Sequence, residues 1–346
     1  MQFEPALQQF RSHYAGRWSD ANVREFQADG FKVLETWSPS RLRVAAGNYP
    51  KIFHHGRATE HVIVLIHGLT DSPFYMQAIA QDFARLGFTV VLPLLPAHGL
   101  RRPGRAFRKL KHTDWIAEVD VMCAVAKQLG QKISLGGLST GGALSIHKTI
   151  RDPEMVTGGL FLFSAALDIG APEQMLLQTE AGRIIGGLKD RGAWLRKAFW
   201  EKIRTIRADQ KAGERRQYYG IGKNPYKYSV FFYEGVSQLA EVIQEINRHY
   251  RDSFSKFRDI TQPVFAAHAE SDESALIKGV KQLIDNHPNE ASMLFVLEDV
   301  AHGNVVLKRD IKGGFSPGEQ ELANPDYERM SQAMLKFAIK YVVSDA

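Results

Sequence analysis

The stretch LGGLSTGG, residues 135–142, sets one serine among four glycines. Glycine inside a regular element is disfavoured by about 0.5–1 kcal/mol relative to alanine, so four of them around one hydroxyl mark a geometric demand. Read as G-x-S-x-G, the stretch is Gly137-Leu138-Ser139-Thr140-Gly141. A β-prone run, KISLGG, precedes the serine, and a helix-like run, GALSIHKTI, comes after it. A strand that turns sharply into a helix at a serine needs residues two away that lack a Cβ, so that the chains can cross closely. It presents Oγ at a helix N-terminus, where the dipole favours developing negative charge. Glycine and serine are common enough for the pentapeptide to arise by chance, so its surroundings decide.

Those surroundings alternate. HVIVLIHG (61–68), FTVVLPLLP (88–96), GGLFLFSAAL (158–167), QPVFAAHAESD (262–272) and SMLFVLEDV (292–300) read as buried strands, and FKVLETW and KIFHH as short ones. Between them lie helix patterns. SPFYMQAIAQDFARLG has Pro73 near its start and Gly87 at its end; HTDWIAEVDVMCAVAKQLG has an apolar stripe at 115, 116, 119, 122, 123 and 126. Further helices are expected near 274–286 and 325–343, and residues 1–30 read as helical and amphipathic. Strands alternating with helices imply a mostly parallel sheet covered on both faces. The alternation stops over residues 171–258, which are helix-like, basic and aromatic. The expected organisation is therefore an α/β core of residues 1–170 and 259–346, with 1–30 as an N-terminal extension. Residues 171–258 would form a helical cap inserted after the sixth core strand.

The chain has 346 residues, 44% hydrophobic and 24% charged, enough for a sizeable core. Its single cysteine, Cys123, excludes an intrachain disulfide and reads as a small core residue, which fits a reducing compartment. No basic start followed by an apolar run opens the chain, and no stretch approaches 18 apolar residues. A cytoplasmic location is the expectation. The net charge of +6 is uneven: residues 183–223 carry twelve Lys/Arg against four acids, which leaves the rest of the chain at −2. RRPGRAFRKLK, residues 101–111, is a second basic cluster. These are solvated faces or surfaces attracted to an anionic head group or membrane. No nucleic-acid motif accompanies them. No cluster has metal-ligand spacing and no G-x-G-x-x-G comes after a strand, so neither metal nor cofactor is expected.

A serine nucleophile needs a base, an orienting acid and an oxyanion hole, and in a parallel sheet these should sit just past strand C-termini. After VIVLI comes His67-Gly68-Leu69-Thr70-Asp71-Ser72-Pro73. The N–H groups of Leu69 and Thr140 are a natural pair of oxyanion donors. The same loop could be an ordinary strand–helix turn, capped by Asp71 or Ser72 and begun by Pro73. After PVFAAH comes Ala269-Glu270-Ser271-Asp272, where Asp272 could fix an imidazole tautomer. Asp168 is the main competitor for the acid and Glu270 a weaker one. After LFVLEDV comes Ala301-His302-Gly303, which offers His302 as base; His287, in the polar turn DNHPN, is the poorer candidate. Ser139, Asp272 and His302 keep the chain order Ser…Asp…His.

VLIHGLTDSP, LPLLPAHG, TDWIAEV, GLSTGG, HAESD and AHG together resemble the α/β-hydrolase fold, and within it the bacterial carboxylesterase and monoacylglycerol-lipase-like group. The resemblance runs from about residue 60 to 303. It implies Ser139 as nucleophile, His302 as base, Asp272 as acid, and Leu69 and Thr140 as oxyanion donors. It also implies a structural role for His98 in the Gly-His-Gly-like loop. The departures are Ala97 and Ala269 where glycines are usual, and Glu273 beside the acid. A serine nucleophile disfavours the aspartate chemistry of haloalkane dehalogenases and epoxide hydrolases.

Within the insertion, GAWLRKAFWEKIRTIRA places apolar residues at 194, 195, 199, 200, 203 and 206 on one helical face and Lys/Arg on the other. That pattern fits a surface helix, or a lid whose apolar face lines an acyl tunnel. The aromatics of residues 218–235 would serve as core or as apolar walls. The function expected is cleavage of a small-molecule acyl ester, a monoacylglycerol or lysophospholipid. A thioesterase, a C–C bond hydrolase or a non-catalytic binding protein are the alternatives. The sequence leaves oligomeric state open.

Overall fold

The computed structural model describes residues 2–18, 20–39, 44–101, 103–169, 226–228, 232–250, 255–288, 290–309 and 323–344. Among these residues, nine strands form one sheet: β1 (Asn22–Ala28), β2 (Phe31–Trp37), β3 (Lys51–His54), β4 (Thr59–Ile66), β5 (Thr89–Leu92), β6 (Gly130–Leu138), β7 (Leu160–Phe163), β8 (Val264–Ala269) and β9 (Ser292–Leu297). Their spatial order is β1-β2-β3-β5-β4-β6-β7-β8-β9. The first three strands run antiparallel to their neighbours, and from β5 to β9 every pairing is parallel. The α-helices among the described residues are α1 (Phe3–Arg17), α2 (Gln77–Arg85), α3 (Gly104–Phe107), α4 (His112–Leu129), α5 (Thr140–Arg151), α6 (Tyr233–His249), α7 (Ile277–Asn286) and α8 (Tyr327–Ala338).

Side chains alternate across a strand, so β4 feeds both faces of the sheet. Val62, Val64 and Ile66 join one apolar cluster with Phe10, Trp115, Met122, Leu144 and Leu239 of α1, α4, α5 and α6. Ile63 and Leu65 join a second with Phe83, Phe161, Met334 and Phe337, under α2 and α8. The sheet is thus covered on both faces, which is why its central strands read as unbroken apolar runs. The fold is that of the α/β hydrolases. The α4 stripe points inward as expected, and Cys123 is buried in it, its thiol pushed up to about 12 by burial. Among the described residues no helix is long and apolar enough to cross a membrane.

The extension differs from expectation. Among its described residues only Phe3–Arg17 is helical; residues 22–28 form β1, a hairpin partner of β2 in which Ala28 faces Phe31 across a two-residue turn, Asp29-Gly30. Gly30 has φ +86°, the left-handed backbone such turns require. The signal was present, since Asp-Gly between apolar runs is a hairpin signature. With β1 counted, β7 is the seventh strand of the sheet, and residues 171–258, expected as an insertion after the sixth core strand, fall between β7 and β8. Helix α1 braces the core: Tyr14 Oη donates to buried Glu118 at 2.6 Å and accepts from Leu94 N–H at 3.0 Å, while Arg17 donates to Leu94 O at 2.9 Å.

Within residues 171–258, expected as a cap, α6 lies in the layer of core helices. Its Glu245 receives His112 Nε2 of α4 at 2.8 Å and His147 Nε2 of α5 at 2.7 Å. The apolar face at 194–206, the basic run at 183–223 and residues 218–225 lie outside the described residues.

Candidate active site

Strand β6 delivers Ser139 to the C-terminal edge of the sheet, and α5 begins at the next residue. Ser139 has φ +53°, ψ −112°, a backbone that residues with a Cβ rarely adopt. Three backbone bonds hold it there. Its N–H donates to Phe163 O at 2.9 Å, and its own carbonyl accepts from Ala143 at 3.1 Å and Ala166 at 3.0 Å. The glycine spacing has the cause the sequence suggested. A Cβ on Gly141 would overlap Ile66 O and lie 2.5 Å from its carbonyl carbon; one on Gly137 would overlap the same oxygen and lie 2.7 Å from Gly141 C. The end of β4, the parallel neighbour of β6, lies directly against the turn.

The loop after β4 lies against the serine: a Cβ added to Gly68 would be 3.4 Å from Ser139 Cβ. Among the described residues, the N–H groups of Leu69 and Thr140 have no acceptor. The Thr140 amide is in the first turn of α5, where helices leave donors unused. The Leu69 carbonyl, one peptide further on, accepts from His98 Nε2 at 2.7 Å. His67 lies beneath. Its Nδ1–H donates to Gly68 O at 2.9 Å and its Nε2 accepts from Leu95 N–H at 3.1 Å, which defines a neutral ring. Burial, then the neighbouring His98, pushes its pKa well below the usual histidine value. Ser72 occupies the N-cap of the next 3₁₀ turn, with Pro73 first inside, but its hydroxyl donates to Asn48 Oδ1 at 2.7 Å and caps nothing. Ala97 has φ +70°, so the position where glycine is usual keeps a glycine-like backbone. Ala269 has no positive φ, and its side chain is buried at the end of β8.

The candidates for acid and base separate. Asp272 Oδ2 accepts from His302 Nδ1 at 2.6 Å, and Oδ1 accepts the N–H groups of Ser274 and Ala275 at 2.9 Å each. The Asp272 side chain is fully buried and that of His302 17% exposed. Burial raises the Asp272 pKa, but the His302 bond and charge and the Ala275 N–H outweigh it, and the carboxyl sits below its usual value. Asp168 instead faces Lys278 at 3.0 Å, Glu270 and Glu273 are exposed, and His287 Nε2 donates to Gln262 O at 2.8 Å. Asp272 and His302 come after β8 and β9, on the same sheet edge as Ser139. Among the described residues no hydrogen bond joins Ser139 Oγ to the His302 ring.

One pair was not foreseen. Asp71, in the loop after β4, is buried, and Lys227 Nζ lies 3.4 Å from its Oδ1. A Cβ on Gly68 would overlap Asp71 Oδ2, and one on Gly303, next to His302, would overlap Lys227 Nζ. No local pattern linked these positions, which are 156 residues apart in the chain.

A family described as Serine aminopeptidase, S33, matches residues 57–306. A thermostable monoacylglycerol lipase of Bacillus sp. (strain H-257) is 34% identical over 112 residues, 32% of this chain and 42% of that one. Esterase YjfP of Escherichia coli (strain K12) is 27% identical over 146 residues, 37% of this chain and 58% of that one. The matches therefore span about half the length of these curated relatives. Among solved structures, one reported for the metagenome-derived lipolytic enzymes LipS and LipT superposes with a TM-score of 0.59 at 18% identity, covering 86% of this chain and all of that one. A soluble variant of monoglyceride lipase from Saccharomyces cerevisiae gives 0.55 at 11% identity, covering 93% and 97%. At such identities the likeness is one of fold.

Proposed function

The chain belongs to the hydrolase family described as Serine aminopeptidase, S33, and from that membership we propose that it cleaves carboxylic esters of acyl chains through an acyl-enzyme on Ser139. One observation carries the reading: a serine in a strained strand-to-helix turn shares a sheet edge with an aspartate–histidine pair bonded at 2.6 Å. His302 Nε2 takes the Ser139 proton as Oγ bonds to the acyl carbon, and the carbonyl π pair moves onto oxygen. The Leu69 and Thr140 amides receive that oxyanion, aided by the α5 dipole. Collapse breaks the bond to the alcohol oxygen, which leaves with the proton from His302. Water then adds to the acyl carbon, yielding its proton to His302. The second collapse frees the acid and returns the proton to Ser139. Asp272 holds Nδ1–H and so keeps Nε2 as the proton acceptor. The Ser139–His302 hydrogen bond would form with substrate, as such bonds often tighten only in the complex.

The lipase and esterase relatives support an ester of an acyl chain such as a monoacylglycerol over the amide that the family description names, and a lysophospholipid offers the same bond. The test is a p-nitrophenyl ester series assayed beside monoacylglycerol, lysophospholipid, acyl-CoA and aminoacyl p-nitroanilide. Ester turnover is the expected result, together with labelling of Ser139 by a fluorophosphonate. Faster turnover of the thioester or anilide would move the assignment to that bond, and retained turnover in Ser139→Ala would remove the nucleophile.

A further inference from the structure

Residues 226–228, Tyr-Lys-Tyr, are fastened to the loop that carries the Leu69 amide. The Tyr226 ring stacks on Phe74 with centroids 3.5 Å apart and planes 7° off parallel. Tyr228 N–H donates to Thr70 O at 2.7 Å. The Tyr228 hydroxyl donates to Ala97 O at 3.1 Å and accepts from Leu100 N–H at 3.0 Å, beside the loop that holds His98. Between the two tyrosines, Lys227 reaches inward: its Nζ is 3.4 Å from Asp71 Oδ1 and 5.5 Å from the Tyr75 ring centroid.

Asp71 poses an electrostatic problem for this site. Its carboxylate is 3% exposed. A Cβ placed on Gly68 would overlap Asp71 Oδ2 and lie 3.4 Å from Ser139 Cβ, so the carboxylate and the serine are close neighbours across this glycine. An oxyanion forming on Ser139 beside the Leu69 amide would therefore meet a buried negative charge a few ångströms away. In a poorly screened site such a charge opposes the very build-up that the amides stabilise. Thr70 Oγ1 donates to Asp71 Oδ1 at 3.2 Å but brings no charge. Lys227 does, and it sits against Gly303, next to the proposed base, so its ammonium lies between the acid of the oxyanion loop and the histidine turn.

We propose that Lys227 is a positioning residue that neutralises Asp71 and so makes the oxyanion loop competent to hold negative charge. The proposal rests on the serine-hydrolase reading above. It makes catalysis depend on the 226–228 segment, which brings the cation to a loop that supplies only the anion. Lys227 acts through Asp71 and through the field at the oxyanion and touches no reacting atom.

The test uses the full chain, a p-nitrophenyl butyrate assay and thermal unfolding of each variant. Lys227→Met should lower kcat by about 10- to 100-fold, the effect of one uncompensated charge near the oxyanion, with KM within about threefold. The double variant Lys227→Met/Asp71→Asn should regain most of that kcat, because removing the anion removes the need for the cation. A strut whose only role is packing would show no such rescue. If Lys227→Met melts below the assay temperature, Lys227→Gln is measured in the same pair of backgrounds. An undiminished kcat in the single variants overturns the proposal, and so does a loss that Asp71→Asn fails to restore. Wild-type protein that neither turns over any ester nor accepts a fluorophosphonate overturns the serine-hydrolase reading and this inference with it; active wild type with either negative result overturns the inference alone.

Discussion

His302 Nδ1 donates to Asp272 Oδ2 at 2.6 Å across a separation of 30 residues, and the second oxygen of that carboxylate is fixed by the N–H groups of Ser274 and Ala275. The carboxylate is thus oriented by backbone before it orients the ring. Nδ1–H pointing at Asp272 leaves Nε2 to accept a proton. Asp272→Asn keeps the shape of the side chain but not its charge. It should lower kcat by about 10³- to 10⁴-fold with a smaller change in KM, read by steady-state kinetics on a p-nitrophenyl ester. The folded-state pKa of Asp272 is lowered, so its stabilising contribution is complete above the unfolded carboxyl value of about 4 and is lost as pH falls through the lower folded value.

Two glycines distinguish packing from propensity. A Cβ on Gly141 would overlap the backbone oxygen of Ile66, which cannot yield without moving the central strand β4. Gly141→Ala should be destabilising by about 3 kcal/mol, at the upper end of overpacking effects. Gly16, on the exposed side of α1, has nothing within 4 Å of a Cβ. Gly16→Ala should stabilise by about 0.5–1 kcal/mol through helix propensity. Urea unfolding of the two variants should move the midpoint in opposite directions.

Ala97 carries φ +70°, a left-handed backbone that the Cβ penalises. Glycine there relieves the penalty but adds freedom to the unfolded chain, and the net gain expected is about 0.5–1 kcal/mol. Chemical unfolding of Ala97→Gly should show a higher midpoint at unchanged slope. A lower midpoint would mean that Ala97 is not strained.

His67 sets a pH dependence. Its Nε2 accepts the Leu95 N–H, so protonating the ring breaks that bond inside the core. Its folded pKa is well below the usual value, so the unfolded chain binds the proton first. The contribution is complete above the unfolded value of about 6.5 and is lost as pH falls below it, at up to about 1.4 kcal/mol per pH unit. Unfolding free energies measured between pH 5 and 8 should fall on the acid side, and His67→Gln should flatten the slope between pH 6.5 and 5.

Much of this was legible locally. The unbroken apolar runs of β4, β5, β7 and β8 reflect burial on both sheet faces, and the G-x-S-x-G spacing reflects the close approach of Ile66, at the end of β4, to the turn. The hairpin of β1 and β2 was readable from Asp29-Gly30 but was masked by the helical periodicity of the residues before it. The loop reading of Ser72 as a cap failed because Asn48, distant in sequence, offered its hydroxyl a partner.

What the amino-acid sequence determined by itself was the alternation of elements, the elbow around Ser139 and a short roster of acids and bases after strand ends, because propensity, periodicity and glycine spacing act over a few residues. The tertiary structure decided that Asp272 rather than Asp168 meets His302, that His287 turns away to Gln262, and that Lys227 reaches Asp71. Those choices depend on which strands lie side by side and how far each loop projects from the sheet edge. Strand order joins residues with no local relation in the chain, so no pattern within a short window could have carried them.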